Sequence, residues 1–255
     1  IRAYCARHLQ GEAPAAVSIG FPSTINRART VVLQTPNIEG IPDNYAVVQE
    51  LGGELGLPVY INRDVNNLLL FDLEDLGLTD CGCVTAIYFG TGLGNAVMLG
   101  QKLLLGYHGA AAELGHLPVY GNRHVCKCGN PSCLETVVSG LALEGIQAEH
   151  FPQTPIHQLF ARHMDTAVMQ DFLVGMAVVV ALEINLFDPD CMVLGGGLLQ
   201  MEGFPCKQLE ALVHRYARKP YPERDLRLRY SRPNQENGPV GAAIYACKRM
   251  ADPQY

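Results

Sequence analysis

Three cysteines fall within eight residues, Cys126-Lys-Cys128-Gly-Asn-Pro-Ser-Cys133, with histidines upstream at His116 and His124. This cluster limits the fold more than any other feature. Thiolate and imidazole are the donors that tetrahedral Zn²⁺ prefers, and three sulfurs on one tight turn oblige the chain to close on itself. Gly129 and Pro131 supply the bends. The fourth ligand comes from elsewhere: His116 is the best candidate, and His124, nearer in sequence, is its rival. No position is left open for a catalytic water, so a structural metal is expected. The chain has nine cysteines, an odd number, and the other six are scattered. One metal site in a reducing compartment, the cytoplasm, fits this usage better than a disulfide framework.

Around the cluster, β-rich runs alternate with helical ones, and glycine turns sit at strand ends. Ala16–Phe21, Pro58–Asn62, Val84–Phe89, Cys191–Leu194 and Leu226–Tyr230 read as strands. Ala96–Leu99 and Lys102–Leu104 read as a hairpin or meander. Asn44–Leu55, Val65–Asp75, Lys207–Arg218 and Pro239–Met250 carry helical spacing. This is an α/β pattern. The longest apolar run, about Phe172–Leu182, is too short to cross a bilayer and reads as a buried helix. The formal charge is −6 and there is no long Lys/Arg run, so neither a nucleic-acid nor a membrane partner is indicated.

Four further features carry chemistry. Asp64, in Asn62-Arg-Asp-Val-Asn66, lies just past a strand end, where α/β proteins place reactive groups; it reads as a proton acceptor or as a helix N-cap. Gly90-Thr91-Gly92-Leu93-Gly94 reads as a phosphate cradle or as a plain hairpin turn. It is not a Walker loop, because no Gly-Lys-Ser/Thr follows. Gly195-Gly196-Gly197 lets either a nucleotide or a helix approach closely. Glu113 and Glu135 flank the metal loop as acceptors for sugar hydroxyls or as solvated surface.

In order along the chain, these motifs resemble the ROK family of bacterial repressors, open reading frames and sugar kinases. The family's Glu-x-Gly-His, then Cys-x-Cys-Gly-x-x-Gly-Cys-Leu-Glu, is met here by Glu113-Leu-Gly-His116 and Cys126-Lys-Cys-Gly-Asn-Pro-Ser-Cys133-Leu-Glu135, with Ser132 in place of Gly. The resemblance implies an actin-like ATPase (ribonuclease H-like) fold of two α/β lobes. The small lobe would be residues 1–72 plus 239–255, and the large lobe 73–238. It implies ATP-dependent phosphorylation of a hexose at its 6-hydroxyl, D-allose first, with glucose, mannose and N-acetylmannosamine as alternatives. Asp64 would be the base, standing here in Arg63-Asp64 where the family has Asn-Asp. Asn37, Glu113, His116 and Glu135 would contact sugar. Gly90, Thr91, Gly92 and Gly94 would form a phosphate loop, and Gly195, Gly196 and Gly197 an adenosine loop. His116, Cys126, Cys128 and Cys133 would hold structural Zn²⁺. Mg²⁺ would accompany ATP, and a homodimer is implied. The family's first phosphate loop, Asp-x-Gly-Gly-Thr or similar, is absent from these residues. The chain opens on Ile1 rather than Met, so that hairpin and the true N-terminus are expected upstream. The family also contains sugar-responsive repressors; the intact Asp64 and Gly90–Gly94 favour the kinase.

Overall fold

The computed structural model describes residues 1–255 apart from Gln10, Pro36, Asn37 and Glu39. In chain order the elements are α1 (Arg2–His8), β1 (Val17–Phe21), β2 (Thr24–Ile25), β3 (Val32–Gln34), α2 (Val47–Leu55), β4 (Val59–Arg63), α3 (Asp64–Asp75), β5 (Cys83–Phe89), β6 (Leu93–Leu99), β7 (Lys102–Leu103), α4 (Gly140–His150), α5 (Leu159–His163), α6 (Ala167–Phe187), β8 (Cys191–Gly195), α7 (Cys206–Tyr216), β9 (Leu228–Tyr230) and α8 (Asn237–Ala251). They fall into two compact units: Ile1–Asp75, Leu104–Ala111 and Gln235–Tyr255 form the first, and Leu76–Leu103 with Ala112–Asn234 the second.

In the first unit β1 and β4 pair in parallel, with Ile19 opposite Ile61 and Phe21 opposite Arg63. Phe21, Ile25, Val32, Val47, Val59 and Ile61 form its core. The small-residue helix α8 packs on α3 and β1. Its Gly241 has no room for a side chain, since a Cβ there would stand 1.8 Å from the Asn67 carbonyl oxygen. Helix α2 starts at Val47, three residues later than its apolar spacing suggests. The reason is local: Tyr45 exchanges both backbone hydrogen bonds with Val32, at 2.9 and 3.0 Å, and Asn44 takes φ 58°. The segment Leu104–Ala111 belongs to this unit, not to the hairpin that precedes it. Arg63 Nη1 donates to the Ala111 carbonyl at 3.0 Å, and Gly109 lies so close to the Ile25 backbone that a Cβ would come within 2.4 Å of its oxygen.

The second unit is built on one five-stranded sheet, in the order β7-β6-β5-β8-β9. β5 pairs antiparallel with β6 and parallel with β8. Helix α6 extends beyond the apolar run to 21 residues, which by length and composition alone is enough to cross a membrane, but it is the buried helix that the run suggests. Here Phe172, Leu173, Met176, Ala177, Val179, Val180 and Ile184 pack with Ile87, Phe89, Met192 and Leu194 as the centre of the unit's core.

Candidate functional site

The first unit carries Asp64. β4 ends at Arg63 and α3 begins at Asp64, so the carboxylate stands at the carboxyl end of a parallel strand. Three asparagines fix this corner. Asn62 Nδ2 donates to Asn67 Oδ1, Asn66 Nδ2 donates to Asn62 Oδ1, and the Arg63 amide donates to the same oxygen, each at 3.0 Å. Gly20 on β1 gives room, since a Cβ would lie 2.9 Å from Asn67 Nδ2 and 3.3 Å from the Asp64 Cα. An N-cap aspartate accepts from an amide two or three residues on. Asp64 Oδ1 accepts instead from the adjacent Val65 amide, at 2.8 Å. Burial raises its pKa, while the Val65 amide and the Arg63 charge pull it back. Arg63, where the family has Asn, thus anchors the 104–111 segment and tunes the neighbouring carboxyl. Asn37 lies outside the described residues.

The second unit carries the candidate metal cluster. The donor atoms of His116, Cys126, Cys128 and Cys133 all lie within 4.8 Å of one another. Cys128 Sγ is 3.7 Å from Cys133 Sγ, and Cys126 Sγ is 3.7 Å from His116 Nδ1. Zn–S bonds of about 2.3 Å give tetrahedral edges of about 3.8 Å, so this donor set fits Zn²⁺ closed by four protein ligands. His124, the rival, is exposed. Ser132 adopts φ 68°, a left-handed conformation that explains the glycine usual at this position in the family. The other ring nitrogen of His116, Nε2, faces Glu113 Oε2 at 3.8 Å. With no metal, burial and hydrogen bonds from Cys128 and Cys126 push the Cys133 thiol up to about 12, so metal binding must displace its proton.

Glu135 connects the metal loop to the glycine turn. Its Oε2 accepts from the Leu93 amide at 2.8 Å and lies where a Gly92 Cβ would be, at 2.4 Å. The turn is held from a second side by α4. The Gly140 amide donates to Gly90 O at 2.8 Å, and the Leu141 amide to Thr91 O at 3.0 Å. Ser139 caps that helix, its Oγ accepting from the Ala142 amide at 3.1 Å. The first three amides of α4 are therefore engaged, and any phosphate contact falls to the turn, where Thr91 is exposed. Gly94 is a strand residue opposite Tyr88.

The three glycines after β8 divide by role. A Cβ on Gly195 would meet the Tyr88 ring at 2.7 Å, and one on Gly196 (φ 98°) would meet the Phe89 carbonyl oxygen at 2.4 Å. Packing against β5 accounts for both. Gly197 alone faces open space. Gly196→Ala is accordingly expected to destabilise the fold by about 3 kcal/mol or more, from a backbone region open essentially to glycine plus a backbone clash. Gly197→Ala should leave the midpoint of urea unfolding near that of the parent.

Sequence reasoning missed Ser139, which the Ser-Gly start of a helix signals, and Asn95. Asn95 Oδ1 accepts from the Leu114 amide at 2.9 Å, at the 3₁₀ turn Leu114–His116. Nothing in the local pattern marks that contact.

Two α/β units, one ending a parallel strand on Asp64 and the other holding a Cys₃His cluster against a glycine turn, have the actin-like ATPase fold. The chain belongs to the ROK family, whose model matches residues 5–249. It is 30% identical over 210 residues to a glucokinase of Thermotoga maritima, covering 74% of this chain and 65% of that protein. The structure of a ROK family glucokinase from Streptomyces griseus, in complex with glucose and AMPPNP, superposes with a TM-score of 0.80 at 25% identity, covering 97% of this chain and 86% of that one. A ROK family transcriptional regulator, a homolog of the E. coli MLC protein, superposes with a TM-score of 0.78 at 27% identity, over 95% of this chain and 65% of that one. The chain spans between 55% and 66% of the length of the curated relatives it matches.

Proposed function

We propose that this protein phosphorylates a hexose at its 6-hydroxyl with ATP, and that the hexose is D-allose. The observation that carries the kinase reading is Asp64, a half-buried carboxylate at the end of β4, held by the Asn62–Asn66–Asn67 network and raised in pKa by burial. A carboxylate so placed is suited to accept the proton of the attacking hydroxyl. The glucokinase relatives support this class, and D-allose rests on the motif resemblance. In this reading Glu113, His116 and Glu135 bind sugar hydroxyls, with Asn37 a further sugar contact. In the Gly90–Gly94 turn the Thr91 hydroxyl and the amides of Thr91 and Gly92 stabilise phosphate oxygens, while the Gly90 amide donates to the Gly92 carbonyl and the Leu93 amide to Glu135. Gly195–Gly197 receives adenosine, with the approach at Gly197. Mg²⁺, arriving with ATP, supplies charge neutralisation on the phosphates. Zn²⁺ on His116, Cys126, Cys128 and Cys133 holds the loop and orients His116.

The transcriptional regulator among the similar structures supports a second reading, a sugar-responsive repressor. A coupled assay of ATP consumption decides between them. With allose, glucose, mannose and N-acetylmannosamine offered in turn, allose is expected to give a kcat/KM well above the others, and a higher value for another sugar would replace it as the substrate. Hexose binding with no ATP consumption for any sugar would replace the kinase reading with the repressor.

A further inference from the structure

Glu183 has no part in the roles above, yet it is 1% exposed within the apolar stretch Val179, Val180, Ala181 and Ile184 of α6. A carboxyl there is costly to bury and needs a reason. Its Oε1 accepts from Asn95 Nδ2 at 3.1 Å, across 88 residues of sequence. Asn95, itself 1% exposed, accepts from the Leu114 amide through Oδ1 at 2.9 Å. A backbone N–H can only donate, so the Asn95 oxygen must face Leu114. The Asn95 amino group must then face position 183, and position 183 must offer an acceptor. Leu114 opens the 3₁₀ turn that has Glu113 and His116 at its two ends. A line of three groups therefore runs from the C-terminal part of the core helix, through β6, to the backbone between the two side chains. Burial pushes the Glu183 carboxyl up to about 7, and the Asn95 hydrogen bond pulls the other way.

We propose that Glu183 is a positioning residue: acting through Asn95 it holds the Leu114 amide, and so sets the placement of Glu113 and His116. The sugar and zinc consequences rest on the function proposed above; the hold on Leu114 does not. Any acceptor oxygen at 183 suffices for the role, and an apolar side chain of similar volume does not.

The test compares Glu183→Leu with Glu183→Gln in the full chain. It reads hydrogen exchange at the Leu114 amide, the visible spectrum of the cobalt-substituted cluster, zinc retention against a chelator, and hexose affinity by calorimetry. Leucine is expected to speed Leu114 exchange, alter the cobalt spectrum, and weaken hexose binding and zinc retention roughly tenfold or more, while glutamine stays within about twofold of the parent on each. Should leucine at 183 unfold the chain, Asn95→Ala is read in its place, with the same expected pattern. The proposal is overturned if Leu114 exchange is unchanged by Glu183→Leu, or if Glu183→Gln loses as much as Glu183→Leu at an unchanged melting temperature. A parent chain that binds neither hexose nor metal overturns the proposed function, and the Leu114 exchange comparison still decides the positioning role.

Discussion

Replacing Asp64 by asparagine is expected to lower hexose-dependent ATP turnover by about 10²–10⁴-fold, the range for loss of a general base. Asparagine keeps the shape of the side chain and an oxygen for the Val65 amide, which donates to Asp64 Oδ1 at 2.8 Å, so the β4–α3 corner should survive. It cannot take a proton. Hexose affinity is therefore expected to hold while kcat collapses, which calorimetry and a coupled assay on the protein read separately. A fall of less than about tenfold would remove Asp64 as the base.

The same substitution makes a second, independent forecast. Burial raises the Asp64 pKa above its ordinary 3.8. Between the unfolded and the folded value the native state binds more protons than the unfolded chain, so stability falls as pH rises through that window. Above it the ionised Asp64 destabilises the fold. Asp64→Asn should therefore melt higher than the parent at pH 7, and the difference should close as pH falls below the ordinary carboxylate value. A base that costs stability and supplies turnover is the expected signature of a catalytic carboxylate.

Loss of the metal is expected to have the other large effect. Purified protein should carry about one equivalent of zinc. His116→Ala and Cys133→Ser should each abolish stable zinc retention, and His124→Ala should leave it intact, since His124 is exposed and outside the donor cluster. The consequence should be local. Tyr120, Val125 and Leu117 are exposed, and the loop pairs with itself through the bridges Pro118–Cys133 and Val125–Pro131. The rest of the unit rests on the apolar core around α6. Stripping the metal should open residues 117–134 to protease while far-UV circular dichroism of the remainder persists, because the binding energy of a structural zinc is folding energy for the segment it closes. Elemental analysis finding no zinc in a protein whose loop resists protease would refute the metal assignment.

Much of the fold was legible because it is local. Strand ends at glycines, the apolar spacing of α3 and α7, and the small-residue face of α8 all express periodicity that neighbouring residues carry. The hairpin β2–β3 was not legible: strands of two and three residues are too short for alternation to register. The onset of α2 was misplaced because a bridge from Tyr45 to Val32 outweighs the first helical turn.

The sequence by itself determined the chemistry on offer: three thiols and an imidazole in zinc spacing, a carboxylate after a strand, two glycine turns, and the motif order that marks the family. Only the tertiary structure decided how those groups are used. It brought the His116 ring, not His124, within reach of the three thiols, set Glu135 on the Leu93 amide against Gly92, gave Gly195 and Gly196 to packing, left Gly197 open, and joined Glu183 to Leu114 through Asn95. The physical reason is the same in each case. Residue type and spacing fix which atoms can donate, accept or ligate, but which atoms meet depends on sheet register and on contacts between residues far apart in sequence, and no local pattern encodes those.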